Sequence, residues 1–209
     1  METAIFSKQL ADTTLIKNND IEIIETGIGV VNTTYRLLKK LSNSSFDLVI
    51  QAGIGGAFKK ETGLGDVLMI GQDTFGDLGM EEKENFQTVF QAGFASADEH
   101  PFSDGWLKNN NDFLKRISLP VVKAVTVNKV TDDLLQQQQL RLAFNPDVES
   151  MEGAALHYVC LLEKIPFIQI RSISNYVGER NKANWKLKES LANLNKVLSE
   201  IVVELTTSG

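Results

Sequence analysis

Five short apolar runs, at residues 21–25, 48–52, 67–70, 121–127 and 167–173, constrain the fold of this chain more than any other feature. Several lack the polar alternation of a half-exposed strand, as expected of strands covered on both faces in a mostly parallel sheet. Between them, residues 30–41 and 151–163 carry apolar side chains at helical spacing, and Leu187, Leu191, Leu194, Leu198, Ile201, Val202 and Leu205 repeat the pattern. This alternation predicts an α/β domain, a three-layer sandwich with a central mixed, mostly parallel β-sheet flanked by helices. A chain of 209 residues suits one such domain, spanning 1–209. Residues 74–111 break the pattern. They are rich in Gly, Asp, Asn and Phe with weak periodicity, and read as a loop-rich insertion of the kind that often carries function. No internal repeat is visible, and the run Gln136 to Gln139 reads as a solvated helix face.

Composition excludes several classes of function. With 27 acidic and 21 basic side chains the net charge is -6, and no stretch concentrates Lys or Arg as a phosphate-tracking surface requires. Nucleic acid and anionic membrane are therefore not expected as partners. No apolar stretch approaches the roughly 20 residues that span a bilayer, and no signal-peptide pattern opens the sequence, so a cytoplasmic location is expected. The single cysteine, Cys160, can form neither an internal disulfide nor a cysteine-based metal site, and its apolar neighbours mark it as packing. His157 falls inside an apolar helix and His100 precedes a proline, so neither suggests a metal site or a catalytic triad.

Three constellations are chemically suggestive. Gly53-Ile54-Gly55-Gly56 follows an apolar run, where backbone can approach a ligand without intervening side chains. It is not a dinucleotide fingerprint, because no helix pattern begins at its third glycine. Glu149-Ser150-Met151-Glu152-Gly153 places a Met-Glu pair at the start of a small-residue helix. Glu152 there is either a ligand for ribose hydroxyls or an acid favoured by the helix dipole, with Met151 as core filler. Arg171-Ser172-Ile173-Ser174-Asn175 ends a strand in a polar tip, which either reads a purine edge or simply enters a turn.

Taken in order, these residues resemble the purine nucleoside phosphorylase and methylthioadenosine nucleosidase superfamily, and within it the futalosine hydrolases of menaquinone biosynthesis. Two further segments carry the resemblance. Phe75-Gly76-Asp77-Leu78-Gly79-Met80-Glu81-Glu82 is similar to an Ala-Asp-Leu-Gly-x-Glu-Glu stretch of those hydrolases, and Ser174-Asn175-Tyr176-Val177-Gly178-Glu179-Arg180 to their Ser-Asn-x-Val-Gly-x-Arg. The resemblance implies hydrolysis of an N-ribosidic bond through an oxocarbenium-like transition state, with hypoxanthine as the leaving base. Asn175 would stabilise charge on the departing purine, Glu152 would hold the ribose with Met151, and Arg171 and Ser174 would orient these groups. Gly56 would lie beside the ribose, and Val130 and Thr131 would meet the base. Relatives cutting 6-aminopurine nucleosides usually carry Asp where this chain has Asn175. An amide can donate to both N7 and O6 of a 6-oxopurine, although through its carbonyl it can also pair with adenine.

The water-activating glutamate of the family follows its first strand, and Glu2 occupies the matching position. That strand is missing before Glu2, so a natural start roughly ten residues upstream is expected. A frayed terminal acid is the other reading of Glu2. The alternatives in function are a methylthioadenosine or adenosylhomocysteine nucleosidase, or an inactive nucleoside-binding remnant. A phosphorylase would need a cationic phosphate site, and Gly27-Ile28-Gly29-Val30-Val31-Asn32 offers no arginine for one. The resemblance implies a homodimer, a small nucleoside substrate, no metal and no cofactor; Arg180 or Lys182 could pair with a carboxylate on that substrate.

Overall fold

The computed structural model describes residues 21–207, so Glu2 and the segment expected to precede it lie outside the described residues. Four of the five apolar runs form strands: β1 (Val49–Ala57), β2 (Val67–Asp73), β6 (Val121–Thr126) and β8 (Phe167–Tyr176). The fifth, residues 21–25, has no assigned strand and leaves Ile23 exposed. The three helical patterns become α1 (Val30–Leu41), α4 (Gly153–Glu163) and α5 (Leu187–Thr207).

Smaller elements fill the intervals. The expected insertion contains a hairpin of β3 (Gly79–Glu82) and β4 (Asn85–Thr88), and ends in the two-residue β5 (Leu107–Lys108). A short helix α2 (Phe113–Arg116), the helix α3 (Leu134–Phe144) and β7 (Val148–Ser150) complete the described elements apart from a 3-10 turn at Lys182–Asn184. Asp133 caps α3, its carboxylate accepting from the Leu135 and Gln136 amides. The glutamine run is not uniformly solvated, because Gln137 is buried.

The sheet is not the open central layer that alternation suggests. Its order is β5-β2-β6-β7-β1-β8, and β8 also pairs antiparallel with β2, through Val67↔Ser172 to Ile70↔Gln169, so five strands close on themselves. Strand twist accumulates in one direction, and a register shift between Gly55 and Gly56 opposite β8 marks a local irregularity of the kind that adds bend. The sheet is mixed: β1–β8, β2–β6 and β6–β7 run parallel, whereas β1–β7, β2–β5 and β2–β8 run antiparallel. Half of the pairings are thus antiparallel, fewer parallel than expected.

Closure divides the core. Ala57, Leu68, Ile70, Ala124, Val148 and Ile173 pack inside the ring. Outside it, Met69, Ile168 and Ile170 meet Leu194, Leu198 and Ile201 of α5. On another flank Leu37 of α1 packs with Leu156, Val159 and Cys160 of α4 against Phe167. Burying each large aliphatic side chain contributes about 1.5 to 3 kcal/mol. Cys160 is part of this packing, and burial pushes its thiol up to about 12, consistent with an inert core residue.

Candidate active site

Gly53 to Gly56 form part of β1 rather than a loop, so their value lies in the flat strand surface they leave. A methyl group added at Gly56 would stand 3.3 Å from Asn175 Nδ2 and 3.2 Å from Val177 Cγ2. Gly56 is in register with Asn175 on β8 and with Glu149 on β7. In-register neighbours share a face, so Gly56 lies between the Glu149 carboxyl and the Asn175 amide, with Val177 Cγ2 packed on the same face.

The amide of Asn175 has a defined orientation. The Ser174 hydroxyl donates to Oδ1 at 2.8 Å, and Nδ2 donates to the Tyr176 carbonyl at 2.9 Å. One amide hydrogen remains uncommitted. The expected double donation to N7 and O6 is therefore closed to this geometry, since the second hydrogen is already held by backbone. Ser174 is fully buried, and its oxygen also lies 3.4 Å from the Gly55 carbonyl.

Met151 and Glu152 follow β7, and Glu152 occupies the N-cap position of α4 without capping it. Its carboxylate turns elsewhere: Oε1 accepts from the Gly29 amide at 3.1 Å, and Oε2 lies 3.4 Å from Arg171 Nη1. Arg171 is 2% exposed, and its Nη2 donates to Gln51 Oε1 at 2.7 Å. This guanidinium ties the strand pair β1–β8 to the start of α4. A buried cation of this kind requires a partner, because isolated charge is costly to desolvate.

The start of α4 is held from below. Thr126 Oγ1 donates to Asp73 Oδ1 at 3.0 Å and accepts from the Ala154 amide at 2.8 Å, while Ser150 Oγ accepts from the Gly153 amide at 3.2 Å. Burial raises the Asp73 carboxyl to about 7, against the opposing pull of Gln169, Thr126, Arg171 and the Thr74 amide. His157 is also buried, its Nδ1 is 2.8 Å from the Leu107 carbonyl, and burial lowers it to about 4. Its position is structural, as its apolar helix suggested.

The remaining expected contacts are more peripheral. Val130 packs with Phe58, Val125, Val127 and Leu140, a cluster that Val177 also joins. Thr131 Oγ1 accepts from the Asp133 amide and helps line a cavity of about 220 Å³ between the β3–β4 hairpin and α3. A larger apolar cavity of about 310 Å³ lies between α1, β1 and α5, away from Asn175. Arg180 stacks over Trp185. Gly29, Gln51 and Glu149 had no role assigned from sequence; a glutamine inside an apolar run was the available signal for Gln51. Among the described residues, no group of three or more His, Cys, Asp and Glu is placed to hold a metal ion, and no helix is long and apolar enough to cross a membrane.

A ring-closed mixed sheet with a buried carboxyl on β7 and a side-chain amide on β8, either side of β1, suits an α/β protein that handles nucleosides. The phosphorylase superfamily family model matches residues 10–206, and the chain belongs to that superfamily. Within it, the chain is 25% identical over 191 residues to the futalosine hydrolase of Thermus thermophilus, spanning 90% of this chain and 84% of the relative. It is 27% identical over 167 residues to the futalosine hydrolase of Streptomyces coelicolor, spanning 77% of this chain and 67% of the relative. The aminodeoxyfutalosine nucleosidase of Campylobacter jejuni is 24% identical over 205 residues, spanning 90% and 81%. The fold matches the futalosine hydrolase of Helicobacter pylori with a TM-score of 0.68 at 20% identity, over 86% of this chain and 77% of that one. A methylthioadenosine/adenosylhomocysteine nucleosidase from Colwellia psychrerythraea, solved with adenine, matches with a TM-score of 0.72 at 19% identity, over 88% and 77%.

Proposed function

We propose that this chain is an N-glycosyl hydrolase that cleaves the N-ribosidic bond of futalosine, releasing hypoxanthine as a step of menaquinone biosynthesis. The reading rests on the relatives named above and on one geometric observation. A side-chain amide with one uncommitted hydrogen and a carboxylate held by a guanidinium and the Gly29 amide are present together. Asn175 and Arg171 both belong to β8, and Arg171 links that strand to Glu152.

In this mechanism the bond from C1′ to the purine breaks with its electron pair passing to the base. The uncommitted Nδ2 hydrogen of Asn175 donates to N7 as charge accumulates there. Glu152, fixed by Arg171 and the Gly29 amide, accepts from the ribose hydroxyls with Met151 beside the sugar. Water adds its hydroxide to C1′, and its proton passes through a general base to the base released. Resemblance assigns that base to Glu2. Gly56 leaves space under the nucleoside, and Val130 and Thr131 border the base.

The chain acts in this reading as one nucleosidase domain, working as a homodimer. The exposed apolar row of Ile28, Val31, Tyr35 and Leu38, at helical spacing along and just before α1, supports an interface with a second copy. Hydrolysis of methylthioadenosine is the second reading, favoured by the fold match to the Colwellia nucleosidase. Release of hypoxanthine from futalosine, measured beside release of adenine from methylthioadenosine and with phosphate varied, tests the assignment. Phosphate-independent release of hypoxanthine supports it, and activity on methylthioadenosine alone overturns it.

A further inference from the structure

The first turn of α4 is satisfied without the side chain that stands at its cap. Gly153, Ala154 and Ala155 present backbone amides that lie ahead of the regular helical ladder. Ser150 Oγ accepts from the first at 3.2 Å, Thr126 Oγ1 from the second at 2.8 Å, and the Glu152 carbonyl from the third at 3.1 Å. Thr126 belongs to β6 and Ser150 to β7, so both side-chain acceptors come from the sheet. A carboxylate at an N-cap position is drawn to such amides by hydrogen bonding and by the helix dipole. Glu152 makes no such bond. With each of these amides already taken, its carboxylate meets the Gly29 amide and Arg171 instead.

The Thr126 hydroxyl is itself aimed. The Thr74 amide donates to Asp73 Oδ1 at 2.8 Å, which marks that oxygen as an acceptor, and the Thr126 hydroxyl donates to the same atom at 3.0 Å. Its oxygen lone pair is thereby left for the Ala154 amide. Asp73 and Thr126 are fully buried, where an unmade hydrogen bond costs the desolvation of the group left over. The helix start also rests closely on this layer, since a methyl group at Gly153 would overlap Asp73 Oδ2.

We propose that Thr126, aimed by Asp73, and Ser150 are positioning residues: they cap α4 in place of Glu152 and so keep its carboxylate turned toward the sugar. The inference rests on the nucleosidase reading above, in which Glu152 accepts from the ribose hydroxyls. Neither residue acts on the base or on the bond that breaks. Without the Thr126 hydroxyl the Ala154 amide loses its acceptor, and Glu152, standing at the cap, turns back to it and leaves the sugar.

The test compares Thr126→Val, which keeps the shape and removes the hydroxyl, with Thr126→Ser, which keeps the hydroxyl, both in the full chain. It reads kcat/KM for futalosine, hypoxanthine affinity by calorimetry, and the thermal midpoint. Thr126→Val should lose about tenfold or more in kcat/KM, the effect of losing hydrogen bonds to a charged group. Hypoxanthine, which has no sugar, should bind this variant as it binds the wild type. Thr126→Ser should restore kcat/KM. A loss shared equally by base and nucleoside, in step with the thermal midpoint, marks a merely structural threonine and overturns the proposal. So does a folded Thr126→Val with wild-type kcat/KM. Ser150→Ala, which strips the Gly153 amide of its acceptor, is the second arm should Thr126→Val not fold: it should show the same split between nucleoside and base, and its absence overturns the proposal. Either failure leaves the hydrolase assignment standing, whereas a wild type without activity on futalosine overturns that assignment and this inference with it.

Discussion

Asn175 shows how one hydrogen bond changes what a residue can do. Its identity suggests a donor to two acceptors, but the Tyr176 carbonyl already holds one amide hydrogen. Asn175→Ala should lower turnover by about 100- to 1,000-fold with the thermal midpoint nearly unchanged, checked by single-turnover kinetics beside calorimetry. Glu152→Gln should impair both properties, since it removes the charge facing the 2% exposed Arg171. Loss of a buried partner costs about 3 kcal/mol or more, and chemical denaturation would read it. Asp73 gives a pH prediction. Its carboxyl titrates near 7 in the fold against an ordinary 3.8, so the folded chain holds a proton that the unfolded chain has released between those values. Stability therefore falls as pH rises through that window. Glu149 acts in the same direction, and His157, lowered by burial, in the opposite one between about 4 and 6.5. Asp73→Asn should flatten the slope, seen as a smaller fall in thermal midpoint between about pH 5 and about pH 8 than the wild type shows.

At the scale of elements, the start of α4 is the most constrained position. A methyl group at Gly153 would overlap the Gln169 amide nitrogen and Asp73 Oδ2, and both belong to the fully buried layer beneath the helix. Gly153→Ala should destabilise the fold by roughly 1 to 3 kcal/mol through overpacking, despite the better helix propensity of alanine, and should reduce activity through displacement of Glu152. Helix α1 is legible in its apolar spacing, but its burial is not. Val31 is 79% exposed and Tyr35 65% exposed, while Leu37 is buried against α4. Val31→Glu on that outer row should shift the proposed homodimer toward monomer in analytical ultracentrifugation without unfolding the chain. The strand β7 escaped sequence reading because three residues carry too little periodicity to register. It nevertheless places Glu149 and leads into Glu152.

For the whole molecule, closure of the sheet couples the elements that carry the site. Arg171 belongs to β8, Gly56 to β1, Glu149 to β7 and Asp73 to β2, all strands of the ring. Ligand binding should therefore stabilise the domain as a unit: hypoxanthine at about 100 times its dissociation constant should contribute about 2.7 kcal/mol, raising the thermal midpoint in one cooperative transition. The sequence by itself determined strands β1, β2, β6 and β8, helices α1, α4 and α5, and the residue types at Met151, Glu152, Arg171, Ser174 and Asn175, because side-chain periodicity and local chemistry are properties of neighbouring residues. Tertiary structure alone decided that β2 and β8 pair, that Gly53 to Gly56 are strand rather than loop, and that Glu149 and Asn175 flank one glycine. Those facts depend on register between segments as far apart as Gly56 and Asn175, and strand register is set by packing and twist across the whole sheet rather than by any local run of residues.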